Sequence, residues 1–388
     1  MLTTVAGFLS LLIWAYLLLA RGAFWQTGRC LAPESVSTRI PGLVAVIVPA
    51  RNEAEVVGES IRSLLNQSCS ESLHIFLVDD GSTDSTAHIA FQTAALAGKS
   101  AALTVITGQS LPPGWLGKLW AMHQGVERAR ELNPRFFLFT DADIVHQPES
   151  ISTLASIAEA GSYDLASYMV KLHCSTVAER FMVPAFVFFF FKLYPPLWIA
   201  DRRHRTAGAA GGCMLMRPEA LERFGGLAAI RDEIIDDCAL ARQVKHSGGS
   251  LWLGLTNSAR SIRPYRTLGE IGSMISRTAF NQLNHSIPML VLSLLGLTLT
   301  YLLPPLLLVA HGTLTKELGA VAWAAMVLSY LPMVRFYGLN PFWIVALPLV
   351  AVFYMGATLH SAVKFRTGRG GQWKGRAQDL PKRGWDGA

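Results

Sequence analysis

The stretch Leu43-Val-Ala-Val-Ile-Val-Pro49 decides the fold class, because it is a short apolar run bounded by glycine and proline. Such a run is typical of a parallel strand that is buried on both faces. Residues 53–66 follow it, and their apolar side chains recur at helical spacing. Together the two segments predict the first strand and helix of an α/β domain.

The same alternation continues along the chain. Strands are predicted at 75–78, 103–107 and 136–139, with a helix to about residue 97 that Asp84 can cap, and a further helix that begins at Lys118 after the loop 108–117. Four alternations predict a doubly wound, mostly parallel sheet with right-handed crossovers. Polar clusters follow three strands, so they are expected to converge at the edge where such sheets bind ligands. These clusters are residues 49–53, 79–84 and 141–143.

The composition predicts a soluble module attached to a membrane. Half of the residues (51%) are apolar and 16% are charged, and the segments 5–20 and 287–363 carry almost no charge. We therefore expect an N-terminal transmembrane anchor at 1–22, a catalytic domain at 40–265, and transmembrane segments at 287–363. A cleaved signal peptide is the alternative for the anchor. Arg21 and Arg29 follow the apolar run and no basic residue precedes it, which favours an uncleaved anchor with the catalytic domain in the cytosol.

Two further apolar segments have their own predictions. Residues 181–199 either lie at the membrane interface, where they line an access path for an apolar acceptor, or form a buried core segment, and both readings stay open. Residues 266–286 are expected to contain an amphipathic helix on the membrane surface. Three C-terminal spans would place the tail 364–388 outside, yet its seven Lys and Arg against two Asp favour the cytosol.

The net charge of +7 does not indicate nucleic-acid binding, because the excess collects in this tail, where it suits anionic headgroups. No nucleic-acid motif is visible. The five cysteines are scattered without a CxxC pair, which fits reduced thiols in the cytosol.

Three groups of residues are candidates for chemistry. Asp141 and Asp143 at a strand end suit a divalent cation with oxygen ligands, although loop or cap aspartates look the same. Asp79 and Asp80 can hold a nucleobase and ribose hydroxyls, and a turn accounts for Asp84 and Gly81 but not for this pair.

The pair Asp236-Asp237 precedes a helix and is read either as a partner of the helix dipole or as a source of the general base. Lys118 opens a helix after a Gly-rich loop and is read as a phosphate ligand or a solvated lysine. Gly211 and Gly212, within Gly208-Ala-Ala-Gly-Gly212, indicate close backbone approach to an acceptor or a tight strand turn.

At these residues the chain resembles the family 2 glycosyltransferases of GT-A fold. The resemblance covers about 43–285 and rests on Val48-Pro-Ala-Arg-Asn-Glu53, Asp79-Asp-Gly-Ser-Thr-Asp84, Asp141-Ala-Asp143 and Asp236-Asp-Cys-Ala-Leu240. It implies inversion at the anomeric carbon, with the following roles. It places Pro49, Asn52, Glu53 and Asp80 around the nucleotide and Arg277 at the pyrophosphate; Mg²⁺ or Mn²⁺ would bind Asp143 with Asp141 beside it; and Asp237, next to Asp236, would be the base. The positions of Asp79, Lys118 and Asp141 in the sequence add these three to the candidate nucleotide-sugar contacts.

One departure from the family concerns the acceptor. Processive members carry Gln-x-x-Arg-Trp on an interfacial helix, whereas here the helix reads Ser276-Arg-Thr-Ala-Phe-Asn-Gln-Leu283 without the tryptophan. This argues against a polymerase and for one transfer to a lipid. The alternatives are a polysaccharide-synthesising enzyme and a non-catalytic subunit that binds nucleotide-sugar.

More narrowly, the chain resembles the hopene-associated glycosyltransferases of bacteria. The similar stretches include Leu111-Pro-Pro-Gly-Trp-Leu-Gly-Lys-Leu-Trp-Ala121, Thr140-Asp-Ala-Asp-Ile-Val-His146 and Ile235-Asp-Asp-Cys-Ala-Leu-Ala241. The resemblance implies a UDP-sugar donor, a hopanoid or similar membrane lipid as acceptor, and a multi-pass protein of the bacterial inner membrane.

Overall fold

The computed structural model describes residues 2–33, 40, 42–367, 372–373 and 376–377. The chain divides into two compact units. The sheet unit comprises residues 32–172, 199–263 and 371–388, and the helical unit comprises 1–31, 173–198 and 264–370. The candidate chemistry, apart from Arg277, lies on the sheet unit.

Within the described residues the sheet unit contains an eight-stranded mixed sheet. The strands are β1 Val44–Ala50, β2 Leu73–Asp79, β3 Leu103–Thr107, β4 Phe136–Thr140, β5 Ile144–His146, β6 Leu165–Lys171, β7 Cys213–Met216 and β8 Leu251–Ser261. They lie in the order β3-β2-β1-β4-β7-β6-β8-β5. The first four are mutually parallel, β6 is parallel to β8, and β7 and β5 run antiparallel to their neighbours.

The described residues contain fifteen α-helices. They are α1 Leu2–Leu19, α2 Thr27–Cys30, α3 Val57–Leu65, α4 Thr86–Leu96, α5 Gly117–Arg130, α6 Ser150–Ala160, α7 Val177–Leu193, α8 Pro196–Ala200, α9 Pro218–Arg223, α10 Asp236–His246, α11 Leu268–Thr278, α12 Ile287–Leu297, α13 Leu303–Leu307, α14 Thr313–Phe336 and α15 Leu347–Arg366. A pair of short strands, β9 Gln372–Trp373 and β10 Arg376–Ala377, follows α15.

The four predicted strands are confirmed as β1 to β4, and the predicted helices that connect them as α3, α4 and α5. Every residue of β1 is buried, as expected for a central strand with helices on both faces. Gly125 of α5 explains how closely that helix packs, because a Cβ there would lie 2.6 Å from the side chain of Ile47. The sheet is doubly wound and α/β, as predicted.

The prediction that Asp84 caps α4 needs a correction. The N-cap residue is Ser85, which makes no side-chain cap hydrogen bond. Asp84 instead accepts from the backbone N–H of Thr86 at 3.0 Å and, with its other oxygen, from that of Ala54 at 3.1 Å. The carboxylate therefore joins the loop after β1 to the start of α4, because it lies one residue too early to cap the helix.

The helical unit is built from long apolar helices. Five segments are long and apolar enough to cross a membrane, by length and composition: Leu2–Leu19, Val177–Ala200, Ile287–Leu307, Thr313–Phe336 and Pro341–Arg366. The three predicted C-terminal spans correspond to the last three of these segments. Trp14 of α1 is fully buried and donates from Nε1 to the carbonyl of Thr300 at 2.8 Å.

Helix α11 occupies the start of the segment that was expected to hold an amphipathic helix. Ile271 and Ile275 of this helix are buried within the protein, whereas Leu268 is 41% exposed, so the predicted position on the membrane surface stays a prediction. The helix ends at Thr278, and residues 281–283 form a separate 3₁₀ turn. Residues 181–193 lie in α7 and 196–199 in α8, and the segment belongs to the helical unit up to Trp198. Of the predicted basic tail, only 364–367, 372–373 and 376–377 lie within the described residues.

No disulfide joins any of the five cysteines, all of which lie in the described part of the chain. Burial raises the pKa of Cys69 to about 11.

Candidate functional site

Two loops at the ends of β1 and β2 are hydrogen-bonded to each other. Asn52 has a positive φ of 52°, its backbone N–H donates to Ser82 Oγ at 3.0 Å, and its Oδ1 accepts from the N–H of Thr83 at 2.8 Å. Glu53 donates from its backbone N–H to Thr86 Oγ1 at 2.8 Å. Because β1 and β2 are parallel neighbours, the predicted convergence of residues 49–53 and 79–84 is confirmed. Pro49 lies in β1 opposite Val78 and is buried.

The two acids after β2 have different surroundings. Asp79 Oδ1 accepts from the backbone N–H of Ser82 at 3.1 Å and from its hydroxyl, so a turn does account for this residue, contrary to the expectation from sequence. Asp80 is 1% exposed, and Arg51 lies 3.8 Å from its carboxylate while bonding its carbonyl oxygen. The carboxylate of Asp80 is therefore buried beside the guanidinium of Arg51.

Lys118 connects two acidic groups that are far apart in sequence. Its Nζ lies 3.0 Å from Asp141 Oδ1 and 3.0 Å from Asp236 Oδ2. The lysine side chain is 20% exposed, and the two acids are 36% and 16% exposed. Burial alone would lower the pKa of Lys118, but the two carboxylates raise it above its ordinary value. The ammonium is thus a permanent positive charge between the Asp141 cluster and the Asp236-Asp237 pair.

Asp237 stands at the start of α10 and is held by backbone donors on both oxygens. The N–H of Gly211 donates to Oδ2 at 2.9 Å, and the N–H of Cys238 donates to Oδ1 at 2.7 Å. Burial, with a smaller contribution from the carboxylate of Asp236, raises the pKa of Asp237 to about 6, although Lys118 and the two N–H groups oppose the rise. A carboxylate with such a pKa can accept a proton near neutral pH.

A buried chain of hydrogen bonds supports the glycine turn beside Asp237. Thr140, the last residue of β4, donates from Oγ1 to the carbonyl of Gly212 at 2.9 Å and lies 3.1 Å from His146 Nε2. His146 is 3% exposed, and burial lowers its pKa to about 4, so it is neutral. A Cβ on Gly212 would lie 2.8 Å from Val170, which explains why this position is glycine. Gly211 and Gly212 therefore orient Asp237.

Asp143 is engaged by residues from the end of β8. Its Oδ2 accepts from Ser261 Oγ at 2.7 Å and lies 3.5 Å from Arg263 Nε. The guanidinium of Arg263 also pairs with Glu53. Arg263 therefore joins the loop after β1 to the Asp141-Ala-Asp143 turn, and together these residues form one edge of the candidate site.

The residues present fit a divalent cation whose coordination is completed by a ligand. Among the described residues no group of three or more His, Cys, Asp and Glu side chains gathers as a metal cage. Mg²⁺ characteristically binds through one or two carboxylates together with substrate phosphates and water. Asp141, which is 36% exposed, and Asp143, which is 15% exposed, supply such a pair at the end of β4. The set suits a metal that arrives with a diphosphate.

The structure thus brings together most of the predicted residues. Arg277 lies on the other unit, exposed in the last turn of α11, and its role stays a prediction. Sequence reasoning missed Arg263, Ser261, Thr140 and His146. The first two follow or end β8, which was not among the predicted strands, so nothing placed them at this edge.

The comparisons with known proteins agree with this geometry. Residues 45–225 match the family described as Glycosyl transferase family 2. An uncharacterized protein of Methanocaldococcus jannaschii is 28% identical over 123 residues, which is 32% of this chain and 44% of the relative. The 4,4'-diaponeurosporenoate glycosyltransferase of Staphylococcus aureus is 31% identical over 113 residues, which is 29% of this chain and 27% of that protein. The matches thus span less than half the length of either relative.

A solved structure resembles most of the chain. The mannosyltransferase PcManGT of Pyrobaculum calidifontis, solved with GDP-Man and Mn²⁺, superposes with a TM-score of 0.52 at 17% identity, over 92% of this chain and 96% of that one. At this identity the likeness concerns the fold. The match over residues 45–225 and the mixed GT-A-like sheet thus make this part of the chain similar to the glycosyltransferases of family 2.

Proposed function

We propose that this protein is a membrane glycosyltransferase that moves a sugar from a nucleotide-sugar donor to a lipid hydroxyl with inversion at the anomeric carbon. The observation that carries the proposal is the position of Lys118, 3.0 Å from both Asp141 and Asp236. One side chain thereby spans from the carboxylates suited to a donor diphosphate to the pair that contains the candidate base. A donor bound beside Asp141 and an acceptor bound beside the Asp236-Asp237 pair would therefore lie next to each other.

The donor half of the proposal uses the edge formed by β1, β2 and β4. Asn52 and Glu53 with Asp79 and Asp80 would border the nucleoside, and Lys118 would pair with a phosphate oxygen as the leaving group gains charge. Mg²⁺ or Mn²⁺, held by Asp141 and Asp143, would supply further charge neutralisation on the diphosphate. Pro49 and Arg277 complete the set of proposed donor contacts.

The acceptor half uses Asp237. Its carboxylate would take the proton from the acceptor hydroxyl as the oxygen attacks the anomeric carbon and the bond from that carbon to the phosphate oxygen breaks. The raised pKa of Asp237, about 6, suits this role, because the group is mostly ionised at pH 7 yet basic enough to accept a proton. Asp236, paired with Lys118, would keep the lysine close to both substrates.

The connection between the units supports an interfacial position for α7 and α8. The segment 173–198 leaves the sheet unit after Leu172 and rejoins it at Ile199. The strand that follows the return, β7, is hydrogen-bonded between β4 and β6, which precede the departure. A single crossing of the bilayer would divide one sheet between the two sides of the membrane. The segment is therefore proposed to enter and leave the membrane from the same side.

The number of C-terminal membrane crossings and the side on which the tail lies stay predictions from the sequence. With α1 as an anchor and the sheet unit in the cytosol, the three apolar segments from Ile287 to Arg366 would bring the tail outside if each crossed once. The basic tail favours the cytosol. A tail in the cytosol is consistent with three apolar segments if one of them is re-entrant or lies at the membrane interface. We place the protein in the bacterial inner membrane as a multi-pass protein.

A lipid acceptor is supported by the apolar helices and by a relative. The relative named 4,4'-diaponeurosporenoate glycosyltransferase is a lipid-related glycosyltransferase. The motifs quoted above resemble the hopene-associated enzymes, so the proposed acceptor is a hopanoid or similar lipid. The absence of Trp from 276–283 favours a single transfer over polymerisation.

Nucleotide release by the purified full chain in detergent or nanodiscs tests the proposal. UDP- and GDP-sugars would be offered with Mn²⁺ or Mg²⁺, with and without a hopanoid lipid. We expect lipid-stimulated release of one nucleotide, and its loss in Asp237→Asn. Nucleotide binding without release from any donor would favour a binding subunit, and release with glycan elongation would favour a polymerase.

A further inference from the structure

The proposed reaction assigns no role to Arg263, although this residue lies beside two of its acids. Arg263 follows β8, its side chain is 32% exposed, and its guanidinium contacts two acids from different loops. One is Glu53, whose side chain is 9% exposed, and the other is Asp143, 15% exposed. Both acids are proposed to border the donor, so the arginine lies at the edge of the site where the donor is proposed to bind.

A cation at this place is expected from electrostatics. Carboxylates that are largely withdrawn from water need a positive partner, because otherwise the loss of hydration is not compensated. Glu53 and Asp143 share one guanidinium. Asp143 Oδ2 is moreover the oxygen that accepts from Ser261, so Ser261 and Arg263 act on the same atom.

The same atom is one that a divalent cation would use. A metal ion at Asp143 would meet a unit positive charge whose Nε lies 3.5 Å from the carboxylate oxygen. We propose that Arg263 is a resident counter-cation, which leaves Asp143 when a metal-bearing nucleoside diphosphate enters and then pairs with one of its phosphate oxygens. The proposal rests on the proposed function and names the device that couples binding of the metal to binding of the nucleotide.

Two consequences distinguish this role from a structural ion pair. The metal alone should bind weakly, because it must compete with the guanidinium. Metal and nucleoside diphosphate together should bind cooperatively, because the phosphates give the displaced guanidinium a new partner, and such coupling is reciprocal. A purely structural pair between β8 and the loop after β1 would change stability and leave metal affinity unaffected.

The test is Mn²⁺ binding to the full chain in nanodiscs, measured by the loss of the free-ion electron paramagnetic resonance signal, without any sugar donor. Arg263→Gln should bind Mn²⁺ about tenfold more tightly than the wild type, since a unit charge about 5 Å from a divalent ion has an effect of this size even at the dielectric constant of water. Added UDP or GDP should tighten Mn²⁺ binding in the wild type and do so less in the variant.

Matched variants complete the design. Arg260→Gln removes an arginine at the end of β8, three residues before Arg263; its side chain is 63% exposed and lies 3.7 Å from Glu59, and the change should leave Mn²⁺ affinity unchanged. Arg263→Lys keeps the positive charge and should keep the weak Mn²⁺ affinity of the wild type. It is also the variant to measure if Arg263→Gln does not fold. Asp143→Asn added to Arg263→Gln should abolish the gain.

Unchanged or weaker Mn²⁺ binding in Arg263→Gln, or a gain that survives Asp143→Asn, overturns the inference. The result is separable from that of the proposed function, because the binding assay contains neither donor sugar nor acceptor. Transferase activity with no change in metal affinity would leave the function standing and remove this role of Arg263.

Discussion

Replacement of Asp237 by asparagine tests the proposed base with little change in shape. The side chain keeps its size, and one of its two backbone donors, the N–H of Gly211 at 2.9 Å or that of Cys238 at 2.7 Å, keeps an oxygen acceptor. The other donor then faces an amide NH₂. Leaving such a group unsatisfied costs about 1–3 kcal/mol.

The titration of Asp237 has the opposite effect on the free energy of unfolding: at high pH it destabilises the wild type relative to the asparagine variant. Its pKa is raised to about 6 from an ordinary value of 3.8, so the folded chain binds this proton more tightly than the unfolded chain. The associated stability is present below about pH 3.8 and is lost as pH rises through 6. At about 1.4 kcal/mol per pKa unit, the wild type carries a cost of about 3 kcal/mol at pH 8 that the variant lacks. We therefore expect similar melting temperatures at pH 8 and a less stable variant at pH 4.

Turnover should respond far more strongly than stability. A positioned general base contributes about 10²-fold or more, so Asp237→Asn should lose at least about 10² in kcat with a donor KM close to that of the wild type. The wild-type rate should fall about tenfold per pH unit below pH 6. Asp232→Asn, an exposed acid just upstream in the sequence, is the matched control and should keep full activity. Near-normal turnover of folded Asp237→Asn would refute the assignment of the base.

The remaining predictions concern neighbours of Asp237. Lys118→Met should move the acidic limb of the pH–rate profile to higher pH, because Lys118 lowers the pKa of Asp237, and an unmoved limb would contradict this. Gly211→Ala would place a Cβ 3.2 Å from Asp237 Oδ2, so we expect a fall in kcat with a melting temperature within a few degrees of the wild type; undiminished kcat would show that this contact is irrelevant. Burial lowers the pKa of His146 from 6.5 to about 4, so the wild type should lose stability, up to about 3 kcal/mol, as pH falls through this window. His146→Gln should lack that loss, which melting curves between pH 4 and 7 can measure, and an unaltered pH dependence would exclude His146 as its source.

The parallel half of the sheet could be predicted from the sequence, because its strands carry their own signal. β1, β2 and β4 are continuous apolar runs, and each is followed by a polar cluster. Since parallel strands end at one edge, their order along the chain already implied that Asn52, Asp80 and Asp141 lie near one another. The antiparallel half was not predicted. β5 has three residues and β7 four, too short for a periodic pattern to be recognised.

The chemical identity of the candidate site likewise came from local patterns, namely pairs of acids at strand and helix ends. What each acid contacts was decided only by the tertiary structure. Asp79 holds a turn, Asp237 is bonded by the N–H of Gly211, and Asp141 shares a lysine with Asp236.

The physical reason is that a charge has no preferred partner in sequence. Arg263 and Glu53 are 210 positions apart, and the order of strands across the sheet, with β8 carried back beside β5 and β6, brings them into contact. The sequence by itself determined which residue types would stand at the carboxyl edge of the parallel strands. Only the tertiary packing decided which cations neutralise them, because that depends on distances between segments that no local pattern encodes.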